Sequence, residues 1–230
     1  MRALLISDVH AAGRSCPRQQ ALVTLLSRVR CDVLVLAGDV FQRWADDGQS
    51  PHPEVAPVVD ALSRVPARLV FTPGNHDHAA GRFFEARLGA EVAPVVQLVV
   101  DGLRVRVSHG DEADASLGYR ALAWALRNPA FEGLCRALGP ERVWSLQATL
   151  DHPPRGAPDP RLVAAQRARA IDVLGRGEVD LVVNGHTHAP GLEALPGGAW
   201  MNLGDGVAHR TLGWIEDATP QVLPWDALPS

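Results

Sequence analysis

The chain contains no lysine; all 22 of its Lys-or-Arg residues are arginines. Against 26 Asp and Glu they leave a net charge of −4, which gives no sign of the basic surface a general nucleic-acid binder needs. The missing lysine, beside abundant Ala, Gly and Pro, reflects a GC-rich coding sequence and points to no function. Cysteine is scarce. Cys16, Cys31 and Cys135 are odd in number and lack CxxC spacing, so neither a disulfide framework nor a zinc knuckle is indicated. No apolar run approaches the ~20 residues needed to span a bilayer. Met1 runs straight into the first strand, leaving no room for a signal peptide, so the expected location is cytoplasmic. Peripheral contact with the inner face of the membrane stays open. No internal repeat is found, and 230 residues with 47% hydrophobic and 21% charged composition suit one domain over 1–230 with a well-buried core.

Five polar blocks stand out: Asp8-Val9-His10, Gly38-Asp39, Gly74-Asn75-His76-Asp77, His109-Gly110 and Gly185-His186-Thr187-His188. Each follows a short apolar run that reads as a strand, at 3–6, 33–36, 69–71, 103–107 and 181–183. Singly, such blocks occur by chance and Asp-Gly or Gly-Asn pairs are often only turns. Five in order at strand ends are how loops build a polynuclear metal site. In an extended segment residues i and i+2 share a face, which pairs Asp8 with His10 and His186 with His188. Asp39 can bridge two ions, Asn75 offers an amide oxygen and His109 another imidazole.

These seven ligands exceed one tetrahedral zinc and suffice for two higher-coordinate ions. Imidazole and carboxylate donors without thiolate suit Mn first, with Fe, Zn or Co as alternatives, better than Mg or Ca. Two divalent ions less two carboxylates leave a positive site, suited to a phosphate ester. His76 is read as catalytic rather than ligating: protonated, it would stabilise the transition state or protonate the leaving oxygen. Asp77 would orient it or a ligand. His52, His78, His152 and His209 are read as packed or surface residues.

Helices are expected at 17–30, up to about 65, and at 82–88, with a hairpin of 95–100 and 103–107 across Asp101-Gly102. The last strands should be 181–183, 191–194, 199–202 and 211–215, and 153–160 reads as a flexible linker. The stretch 115–170 reads as a helical, lid-like insertion broken at Asn128-Pro129 and Gly139-Pro140. It carries eight Arg against four acidic residues and many large apolar side chains. Such a surface suits an anionic amphiphile, or the stripe packs inward while the arginines face water.

The blocks together resemble the calcineurin-like metallophosphoesterases, whose pattern is D-x-H, G-D, G-N-H-[DE], H and G-H-x-H. That resemblance implies a four-layer αββα sandwich with Asp8, His10 and His188 on one ion, Asn75, His109 and His186 on the other, and Asp39 between them. Within the superfamily, residues 38–47, which include Trp44, resemble a block of the UDP-2,3-diacylglucosamine pyrophosphatases. The segment after His109-Gly110-Asp111 resembles their acyl-chain lid, and Trp200-Met201-Asn202-Leu203-Gly204-Asp205 their closing strand and turn. The resemblance implies hydrolysis of a nucleotide-linked lipid to UMP and 2,3-diacylglucosamine 1-phosphate, with Trp44, Trp124, Arg127, Phe131 and Leu134 as substrate contacts. Two departures are visible: His76 stands where Arg is common, and Gly206 where a Trp often follows. The alternatives are a phosphodiesterase or phosphatase acting on a nucleotide or small phosphoester, and a non-catalytic scaffold of the same fold, which would have lost ligands.

Overall fold

Strands buried on both faces need apolar side chains in succession, and Ala3–Ile6 (β1) and Val33–Leu36 (β2) are buried at every position. They lie parallel to each other and to Arg68–Phe71 (β3), which pairs with Glu91–Val92 (β4). Thr211–Glu216 (β10) runs antiparallel to β1, and Thr219–Pro224 (β11) closes that edge, giving a sheet of order β11-β10-β1-β2-β3-β4. The second sheet has the order β5-β6-β7-β9-β8. Its strands are Val95–Val100 (β5), Leu103–Ser108 (β6), Leu181–Asn184 (β7), Gly191–Leu195 (β8) and Gly198–Asn202 (β9). The β5–β6 hairpin turns at Asp101 and Gly102 with φ of 50° and 89°, as a two-residue turn of matching twist requires.

The two sheets share an apolar layer that includes Leu5, Val35 and Val70 from one and Leu98, Val107 and Met201 from the other. Three helices cover the outer face of the first sheet: Pro17–Arg28 (α1), Ala56–Leu62 (α2) and Gly81–Leu88 (α3). Pro160–Leu174 (α7) covers the second, burying Ala170 and Leu174 against Val182 and Trp200. Helix, sheet, sheet, helix is the expected four-layer order. The computed structural model describes residues 1–150 and 158–228; the linker expected over 153–160 and His152 fall largely outside them. Among the described residues no helix is long and apolar enough to cross a membrane.

Two strands escape the sequence reading. β4 is only two residues long. β11 holds Pro220 and Pro224, which argue against a strand except at a sheet edge, where it lies. The insertion is also shorter than expected. Leu117–Leu126 (α4), Pro129–Leu138 (α5) and Pro140–Leu150 (α6) stand between the His109 and His186 blocks, with breaks where Asn-Pro and Gly-Pro occur. The expected boundary at 170 instead cuts through α7, an outer-layer helix whose arginines face outward while Gln166 and Leu174 face in.

Candidate metal centre

Strands β1, β2, β3, β6 and β7 end in the five polar blocks. Parallel pairing places the ends of neighbouring strands together. Backbone bonds then lace the loops: Asp8 N donates to Gly38 O at 3.0 Å, His10 N to Asp39 O at 3.0 Å and Gly185 N to His109 O at 2.9 Å. A Cβ on Gly74 would collide with the Asp39 carboxylate, and one on Gly185 with that of Asp8. The glycines of these blocks are therefore there for close approach.

The expected extended geometry of the ligand pairs is not found. Asp8, His10 and Asp39 each have φ of 51°, and His186 and His188 have 68° and 54°. Five candidate ligand residues thus occupy the left-handed region, which Asp, Asn and His tolerate better than most residues. Each such residue costs on the order of 1–3 kcal/mol and persists only where its surroundings enforce it.

Two groups of donors result. Asp8, His10 and His188 converge, with Asp8 Oδ1 at 3.3 Å from His188 Nε2 and His10 Nε2 at 3.4 Å from His188 Nε2. Asp39, His109 and His186 form the second, with Asp39 Oδ2 at 3.4 Å and Asn75 Oδ1 at 3.3 Å from His109 Nε2. Asp39 also joins His10 and His76 in a third cluster, which places it between the other two.

The donors fit divalent ions. Asp8 Oδ1 and His186 Nε2 are buried without a hydrogen-bond partner. Two imidazole nitrogens 3.4 Å apart need a shared proton or cation between their lone pairs. The electrostatics agree. Burial works against charge on His109, but Asp39 and Asp8 outweigh it and raise its pKa well above the ordinary value. Asp39, despite burial, is held well below the carboxylate range chiefly by His109. Burial pushes His10 down to about 4, leaving it neutral and able to donate a lone pair.

His76 offers Nδ1 to the Gln42 carbonyl at 3.2 Å, and its backbone N–H donates to Asp39 Oδ1 at 2.8 Å. Its ring meets that of His10 edge-on at 5.0 Å. Asp77, fully buried, accepts backbone N–H bonds from Asp39, Val40, Phe41 and Gly74 at 2.8–3.3 Å. Of the two roles expected for it, these bonds serve the ligand loops and not the His76 ring. Burial and then Asp39 push Asp77 up to about 6, against the opposing pull of the Gly74 and Phe41 N–H bonds and of His109.

Trp44, expected to touch substrate, is 2% exposed and packs on Phe41, Phe83 and Phe84, so it supports the Asp39 loop from the core side. Trp124, Leu134 and Phe131 are 72%, 54% and 37% exposed on the insertion. Arg127 and Tyr119 both bind the Asp111 carboxylate, and the Tyr119 ring lies 6.0 Å from that of His186, so α4 adjoins the site. A Cβ on Gly206 would sit 3.0 Å from the Trp225 ring, so Trp225 occupies space that a tryptophan at 206 would need.

Sequence reasoning missed Gln166 and Asp205. Gln166 is 2% exposed and donates to Gly110 O at 3.2 Å and Gly185 O at 3.0 Å, while accepting from Thr187 and Asn202. Asp205 accepts from backbone N–H groups of Val207 to His209, binds His209 Nδ1, and lies 3.9 Å from His188 Nδ1. The Gly204-Asp205 turn was a visible signal for Asp205; a lone helical Gln offers none.

The calcineurin-like phosphoesterase family model matches residues 1–190. The chain belongs to this family. Its members are metal-dependent phosphoesterases, and this chain is an enzyme of that type. It is 31% identical over 212 residues to the UDP-2,3-diacylglucosamine hydrolase of Aeromonas salmonicida, covering 84% of this chain and 79% of the relative. With the enzyme of the same name from Serratia proteamaculans it shares 25% over 223 residues, covering 92% and 90%. The fold is also similar to that of an archaeal phosphodiesterase, with TM-score 0.52, 12% identity and 97% and 99% of the two chains covered.

Proposed function

We propose that this phosphoesterase cleaves the pyrophosphate of UDP-2,3-diacylglucosamine, giving UMP and 2,3-diacylglucosamine 1-phosphate. The observation that carries the reading is the insertion beside the site, where Leu117, Trp124 and Leu134 are 83%, 72% and 54% exposed. The names of relatives at 24–31% identity support the same substrate. In this reading Asp8, His10 and His188 hold one divalent ion, Asn75, His109 and His186 a second, and Asp39 touches both. Manganese suits the donor set best. When bound, the ions supply Lewis acidity toward the phosphate oxygens and lower the pKa of the attacking water.

The chain's own groups do the rest. With Nδ1–H facing the Gln42 carbonyl, His76 keeps Nε2 for the mobile proton and delivers it to the leaving oxygen. Asp77 holds the two loops that carry Asp39 and Asn75. Trp124, Phe131 and Leu134 take the acyl chains and Arg127 faces the anionic part, with the enzyme working in the cytoplasm at the inner membrane surface. A second reading, a phosphodiesterase or phosphatase for a nucleotide or small phosphoester, is favoured by His76 standing where relatives of the lipid enzyme commonly carry Arg.

Each buried acyl methylene is worth about 0.8 kcal/mol. Replacing Trp124, Phe131 or Leu134 with Ser is therefore expected to lower turnover of UDP-2,3-diacylglucosamine at least about 10-fold and leave a small chromogenic phosphodiester untouched. Equal loss on both substrates makes these side chains structural. No cleavage of the lipid substrate alongside good cleavage of small diesters decides for the second reading.

A further inference from the structure

The insertion meets the loop after β2 at an aromatic joint. Trp144 on α6 stacks flat on His52, with ring centroids 4.2 Å apart and 4° between planes. The guanidinium carbon of Arg43 stands 4.7 Å from the centre of the Trp144 ring. His52 Nε2 also reaches Glu141 Oε2, at the start of the same helix, at 3.2 Å. Trp144 is thus half-buried and packed against the core, unlike Trp124 at 72% exposure.

Arg43 looks two ways. Its Nη2 donates to Ala12 O at 3.0 Å, in the loop that follows His10. The residue before it is Gln42, 4% exposed, whose carbonyl lies 3.2 Å from His76 Nδ1. A carbonyl only accepts, so this contact decides which nitrogen of His76 carries its fixed proton and where the other points. One peptide therefore joins the residue under the Trp144 ring to the group that aims His76. A misplacement of about 1 Å in such a group costs on the order of 100-fold in rate.

We propose that Trp144 is a positioning residue for His76: it clamps Arg43 beside His52 and so holds the Gln42 carbonyl that sets the aim of the His76 ring. The inference rests on the proton-donating role given to His76 above. It makes the insertion part of the hydrolytic machinery for every substrate, with or without acyl chains.

Aryl methyl phosphodiesters with p-nitrophenyl or phenyl leaving groups test this on the metal-loaded full chain. Trp144→Ala is expected to lower kcat on the phenyl ester roughly 10–100-fold. On the p-nitrophenyl ester, whose leaving group needs no proton, the loss should stay under about 3-fold. KM and metal content should hold, and Trp144→Phe, which keeps an aromatic face, should recover most of the rate. In a His76→Ala background Trp144→Ala should add nothing. Arg43→Met, which keeps the stack on His52, should show the same dependence on leaving group and covers the case that Trp144→Ala does not fold. Equal losses on both esters, an effect confined to KM, a silent Arg43→Met or additive losses in the double variant would overturn the proposal. If His76→Ala itself shows no dependence on leaving group, the role of His76 is wrong and the proposal falls with it.

Discussion

Before any metal binds, His109 and Asp39 form a buried ion pair, 3.4 Å apart, with the imidazole pKa well above and the carboxylate pKa well below their ordinary values. His188 is likewise raised: burial opposes the charge, and the Asp8 carboxylate 3.3 Å away outweighs it. A metal ion must displace these protons, because only a neutral imidazole ligates. Metal binding near pH 7 should therefore release protons, and affinity should rise with pH up to the pKa values of His109 and His188. In metal-free protein the sign for stability is opposite. A raised histidine pKa contributes stability that is present below the unfolded value near 6.5 and is lost as pH rises through the folded value. Titration calorimetry in buffers of different ionisation enthalpy measures the proton count; heats that do not vary with buffer would contradict the ion pair. That seven candidate ligands come together was legible from residue type and order alone. The left-handed backbone of five of them was not, since nothing in an Asp-Val-His triplet separates an extended chain from one turned at Asp8 and His10. Trp44, which the resemblance implies as a substrate contact, is enclosed by Phe41, Phe83 and Phe84, an aromatic cluster from separate elements that sequence order does not display.

At the scale of elements, the strands feeding the site were the most legible, because β1, β2 and β7 are unbroken apolar runs. β11 was hidden by its prolines, and the boundary of the insertion by the arginines that α7 shares with it. α7 does more than cover a sheet. Through Gln166 it ties the Gly110 and Gly185 carbonyls, next to His109 and His186, with every polar atom of that amide in use. Gln166→Leu takes one donor from each of the two carbonyls, which keep the N–H groups of Ala113 and Thr187, and removes the buried amide oxygen that the Thr187 hydroxyl and the Asn202 amide bond. A drop of roughly 1–3 kcal/mol in stability is expected from denaturant unfolding. Metal affinity should also fall about 10–100-fold, as when a group that orients ligands is removed. Unchanged metal affinity in a destabilised Gln166→Leu protein would confine the residue to packing.

For the whole molecule, two sheets that share an apolar layer carry the donor loops from both sides of the interface, Asp8, Asp39 and Asn75 from one and His109, His186 and His188 from the other. The centre is therefore closed only when both sheets are packed, and its two donor groups meet at Asp39. Activity should then depend on two ions together, since Asp39 is shared. The direct measurement is turnover of a chromogenic phosphodiester during titration of metal-free protein with Mn, with elemental analysis of bound metal at each point. The account predicts that activity appears only as the second equivalent binds, reaches its maximum at two per chain, and falls by at least about 100-fold in Asp39→Ala. Full activity with one ion or none, or an Asp39→Ala enzyme of normal rate, would contradict it.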